Sequence, residues 1–187
     1  MADAPYSAVL FVHIMAAMGL FMSVALTLAG YLGARSSRTL REVRLWLSLA
    51  SRADHALPVV ALAQLASGLW LVHDRWRWGT AWIDVALGWF LATLILGPLL
   101  NGRPLAALAR QVAEGHDGPV PEALAAKLRS RRLGASLLGL TGSTAGMLWL
   151  MVTKPGLAGA VAAVAIGAAV GLAAARLLPA RGAGAVR

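Results

Sequence analysis

From Tyr6 to Gly33 the chain carries no Asp, Glu, Lys or Arg. Such a stretch is longer than the roughly 20 residues needed to cross about 30 Å of hydrocarbon. Four more apolar blocks follow, from about His55 to His73, Trp82 to Leu100, Leu133 to Thr153 and Gly156 to Leu178. Inside a bilayer every backbone N–H and C=O must find its partner within the protein, which leaves helices or a closed barrel. These blocks show no polar–apolar alternation, and Ala and Leu dominate them, so they predict helices. The expected fold class is all-α, a polytopic membrane helix bundle. Its four-helix unit occupies residues 1–156. An additional transmembrane helix and a basic cytoplasmic tail occupy residues 157–187.

Composition agrees: 59% of residues are hydrophobic and 13% charged, against about 45–50% and about 25% in soluble domains. The net charge of +9 does not indicate nucleic acid. The basic residues lie in the short segments between apolar blocks, where membrane topology and anionic head groups account for them. The absence of cysteine excludes disulfides, thiolate metal sites, covalent haem attachment and cysteine nucleophiles.

The basic residues also orient the chain. Arg35, Arg38, Arg41, Arg44 and Arg52 separate the first two blocks, and Arg103, Arg110, Lys127, Arg129, Arg131 and Arg132 separate the third from the fourth. Arg176, Arg181 and Arg187 follow the fifth, whereas Arg75, Arg77 and Lys154 fall on the opposite side. The positive-inside rule then places the N-terminus outside and the C-terminus in the cytoplasm of the inner (plasma) membrane. The opening "MADAPY" has an acid and no base, so the first block reads as a permanent helix rather than a signal peptide. Trp70, Trp76, Trp78, Trp82 and Trp149 gather at the predicted outer surface, as an aromatic belt does.

The connecting segments carry structure of their own. In "RTLREVRLWLSLASR" Leu40, Val43, Leu47 and Ala50 share one helical face, which predicts a short helix lying in the membrane interface. The longer connection reads as two helical pieces broken at "GHDGPVP", the second running on into the fourth block. Gly97–Pro98 predicts a bend in the third helix. Small residues recur every fourth position in the fifth block, at Gly159, Ala163, Gly167, Gly171 and Ala175. With Gly142 and Gly146 in the fourth, they form ridges suited to close helix packing, either within the chain or in a homo-oligomer or complex with a membrane partner.

Chemistry-bearing residues are few. His13 lies about 9 Å below the outer edge of its helix, where an ionisable group needs a partner. It serves as a hydrogen-bonded structural residue, as a ligand of haem iron or copper, or in handling a proton. His73 and Lys154 lie on the same side and are the other candidate cofactor-binding residues. A His13–His73 pair could flank a b-type haem between the first two helices if the second is tilted or ends later than expected. Met15, Met18 and Met22 form a thioether stripe that would suit Cu(I). At 100° per residue, however, it points away from His13, so it reads as packing or lipid-facing surface. Gln64, Ser67, Thr93, Thr141, Ser143 and Thr144 complete the intramembrane polar set, and Gln64 needs a partner across a helix interface. No span holds a central carboxylate, and no catalytic or nucleotide motif is present.

Three stretches carry a resemblance: "VHIMAAMGLFM", "ASGLWL" and "MLWLMVTKPG". In this order, over residues 6–156, they resemble a predicted integral membrane family of unknown function whose four-helix unit ends in a M-V-x-K-P-G motif. That unit is distantly similar to the membrane protoporphyrinogen oxidase family and to a copper-resistance inner-membrane family. The resemblance to the former implies b-type haem, to the latter copper, and only His13, Lys154 and Pro155 correspond position by position. Three functions are therefore open. The chain is a small haem- or metal-associated membrane protein with His13 as ligand, a cofactor-free structural or accessory subunit contacting partners through its glycine ridges, or a small-solute permease.

Overall fold

A computed structural model describes residues 3–113 and 115–179. Every regular element in it is helical. The long helices are α1 (Ala4–Ser36) and α2 (Leu40–Arg75), then α3 (Ala81–Gly97), which continues through a wide π turn at Pro98–Gly102 into α4 (Arg103–Ala113). The short α5 (Glu122–Leu128) leads into α6 (Arg131–Thr153), and α7 (Leu157–Arg176) closes the described chain. Five helical stretches are long and apolar enough to cross a membrane, counting α3 with α4 and α5 with α6 as single stretches. The basic tail residues Arg181 and Arg187 lie outside the described residues.

α1 and α2 form an antiparallel hairpin along their full length. Its register is fixed by Asp3 against Arg75, His13 against Ser67, Gly19 against Val60, and Gly33 against the Trp46 ring. At 1.5 Å per residue both helices approach or exceed 50 Å, well beyond the hydrocarbon thickness. In α2 the excess, residues 40–54, lies at the end where the arginines cluster, here called the basic end. The opposite end carries Trp76, Trp78 and Trp149 and is called the tryptophan end.

The helix expected to lie flat in the interface does not form. α2 runs unbroken from Leu40, begun by a capping box in which Glu42 N–H donates to Thr39 Oγ1 and Thr39 N–H to Glu42 Oε2. The face that suggested lipid contact packs on protein. Val43 and Leu47 are buried with Tyr31 and Ala34 of α1, Leu105, Leu108 and Val112 of α4, Leu124 and Leu128 of α5, and Leu133 and Leu137 of α6. This larger of the two buried clusters lies largely at the basic end. Burial of this kind is what water drives, whereas lipid gives Leu no reason to prefer protein. An amphipathic pattern is the same in both cases; only the neighbouring helices decide what covers it.

Gly97–Pro98 does mark an irregularity, but the π turn absorbs it, and Asn101 within the turn is buried and accepts from Ser136 Oγ. The long connection breaks as expected near Gly115–Pro121, with Leu40 N–H donating to Gly118 C=O and Val120 N–H to Arg38 C=O. A second interruption at Arg129–Ser130 separates α5 from α6.

The glycine ridges meet each other inside the chain. A Cβ on Gly142 would collide with the Gly167 carbonyl, one on Gly146 with that of Ala163, and one on Gly171 with that of Leu138. α6 and α7 therefore touch backbone to backbone at Gly142, Gly146, Gly167 and Gly171, while Gly159 stays exposed. α3 leans on this pair through Ala86, which packs with Leu150 and Ala160.

Candidate functional site

The intramembrane histidine has companions, and both come from α2. His13 Nδ1 lies 3.0 Å from Ser67 Oγ, and Gln64 Nε2 lies 3.0 Å from His13 Nε2. Ser67 has a single hydroxyl proton, and its oxygen is 2.6 Å from the Ala63 carbonyl, one turn back. With the Gln64 amide as placed, Ser67 donates to Ala63 C=O, His13 Nδ1–H donates to Ser67, and the Gln64 amide donates to Nε2. With the amide turned over, His13 Nε2–H donates to Gln64 Oε1 and Ser67 donates to Nδ1. The imidazole is neutral in both, as an apolar setting without a counter-ion demands. Gly68 makes room for it: a Cβ there would stand 3.0 Å from His13 Cε1. With the amide as placed, one polar atom is left over, Gln64 Oε1, which is buried without a partner.

Beside this cluster an open groove of about 400 Å³ runs between the helices. It is lined by Ala8, Val9, Val12, Ala63, Ala66, Ser67 and Trp70. The Met15, Met18 and Met22 stripe faces away from His13, as its helical phase requires, and Met22 is 62% exposed. With Phe11 it forms the free surface of α1.

The other nominated residues stand apart. His73 is exposed in the last turn of α2, six residues and about 9 Å along the axis from Ser67, and makes no hydrogen bond to His13. Lys154 ends α6 in the left-handed conformation, φ 47° and ψ 53°. Its ammonium sits 4.6 Å from the Trp76 ring centroid and 5.8 Å from that of Trp82. The two indoles meet edge to face at 5.0 Å. Trp76 and Trp82 therefore hold a cation, a role that reading them as belt residues misses.

A ligand nitrogen must offer its lone pair, and each ring nitrogen of His13 lies 3.0 Å from an α2 side chain; iron or copper would have to displace Gln64 or Ser67 from the imidazole. Among the described residues no three His, Cys, Asp or Glu side chains converge to hold a metal.

Gln64 and Ser67 were visible in the sequence as buried polar groups, but not as partners of His13. The antiparallel register that joins them could have been counted from the hairpin. Gly68 gave no signal, because its role appears only once the imidazole is placed.

Long apolar helices of lipid-spanning length define a multi-pass helical integral membrane protein. Residues 7–155 match the family described as Predicted integral membrane protein (DUF2269), and the chain belongs to that family. The match ends before α7. No curated protein and no solved structure matches the chain.

Proposed function

We propose that the protein is a cofactor-free accessory subunit of the inner (plasma) membrane, with its N-terminus outside and its basic end in the cytoplasm. His13 serves as a polar lock between α1 and α2. The observation that carries this reading is the saturation of the imidazole: both ring nitrogens are engaged by the neighbouring helix, and neither is offered to iron or copper. The arginines clustered at one end support the orientation. The Phe11, Met15, Met18 and Met22 face of α1 is one of several exposed apolar faces open to a partner helix. Methionine is flexible and polarisable and adapts to varied partners.

A visible spectrum and metal analysis of the protein purified in mild detergent test the proposal. The expected preparation is colourless and metal-free, and His13→Ala lowers its stability by about 1–2 kcal/mol for the two lost interhelical hydrogen bonds. A Soret band that disappears in His13→Ala would overturn it and restore the haem reading.

A further inference from the structure

We propose that Lys154, Trp76 and Trp82 form a binding site for a phosphate-bearing anion at the tryptophan end, with an anionic phospholipid head group as its expected source. The backbone supplies the first observation. Lys154 is the single non-glycine residue with positive φ among the described residues. Glycine ordinarily fills such a helix-ending position, because a Cβ is disfavoured there. A strained residue persists where its surroundings fix it, and here they fix the direction of an ammonium group. Lys154 N–H still bonds to Leu150 C=O, and Pro155 follows at once.

The second observation is the donor count. The two indole faces hold the ammonium by cation–π attraction, which uses none of its three N–H groups. Among the described residues neither that ammonium nor the Trp76 or Trp82 indole N–H has a hydrogen-bond acceptor, and Lys154 makes no ion pair. Arg75, one residue before Trp76, is engaged by Asp3 and Asp74. Asp84, two residues after Trp82, makes no ion pair with Lys154. The result is a cluster of donors with net positive charge and no acceptor. It is exposed at Lys154 and stands at the level of Trp78 and Trp149, both largely exposed. Tryptophan prefers the head-group zone, so the open side of the cluster faces phosphate.

The test uses the full chain in mild-detergent micelles doped with phosphatidylglycerol, read by phosphorus NMR line broadening. Saturable broadening is expected. Lys154→Gln should weaken the apparent affinity about fivefold, the contribution of one basic residue at a charged lipid surface. Lys154→Arg should retain it, because guanidinium also stacks on indole. Inorganic phosphate as a second probe separates the sources. Lys154-dependent broadening of the lipid line alone assigns the site to a head group, and of the inorganic line to free phosphate. Equal broadening in wild type and Lys154→Gln with both probes overturns the proposal. Should the Gln variant not fold, Trp82→Phe keeps the cation and a ring but removes one donor. Weaker binding then supports the site, and unchanged binding overturns it.

Discussion

Replacing Gly142 with alanine tests the α6–α7 seam directly. An added Cβ would collide with the Gly167 carbonyl oxygen and stand 3.0 Å from both the Gly167 carbonyl carbon and Gly171 Cα. The carbonyl oxygen is the tighter contact and lies about 1 Å or more inside van der Waals separation, so the helices must part by about 1 Å at this crossing. A gap of that size forfeits a quarter to a half of each affected contact. With about 20 atom pairs at 0.1–0.2 kcal/mol each, the loss is about 1 kcal/mol, or about 2 kcal/mol at most. In lipid no hydrophobic drive compensates for it. Gly88, in the middle of α3, is the internal control, because nothing lies within 4 Å of a Cβ added there. Gly88→Ala should therefore be neutral or stabilising by up to about 1 kcal/mol through helix propensity alone. The assay is equilibrium unfolding in mixed micelles titrated with SDS, followed by helical circular dichroism. The reasoning fails if Gly142→Ala is as stable as wild type, or if the two variants lose equal stability.

Two further outcomes are expected. Lys154→Gly and Lys154→Ala both lose the cation–π contacts, but glycine tolerates φ 47°. The Gly variant should therefore unfold at higher SDS than the Ala variant, by about 1 kcal/mol; equal midpoints would show that the left-handed backbone is not what separates them. Leu128→Ala, in the buried cluster at the basic end, should cost about 2–5 kcal/mol and raise hydrogen exchange in α4 and α5. Leu45→Ala, on the exposed side of α2, should leave both nearly unchanged.

The sequence made the spans legible because the bilayer reads hydropathy one segment at a time. A run such as Tyr6–Gly33 must be a helix whatever its neighbours do, since no water is present to satisfy its backbone. The phase of the Met15, Met18 and Met22 stripe relative to His13 followed from helix geometry alone. The position of the ridge on α7 followed from residue spacing. The flat interfacial helix failed for an instructive reason. Leu40, Val43, Leu47 and Ala50 specify an apolar face, but lipid and protein cover such a face equally well.

What covers each face is a non-local matter, and the tertiary structure alone decided it. Gly142 and Gly167 are far apart in the chain and meet only because α6 and α7 fold back through Lys154–Gly156. His13 finds Ser67 and Gln64 because the α1–α2 register brings them level. Local hydropathy determined that five apolar helical stretches exist. The pairing of helices, which turns a lone histidine into a hydrogen-bonded lock and two tryptophans into a cation cage, depended on close backbone approach that no single segment encodes.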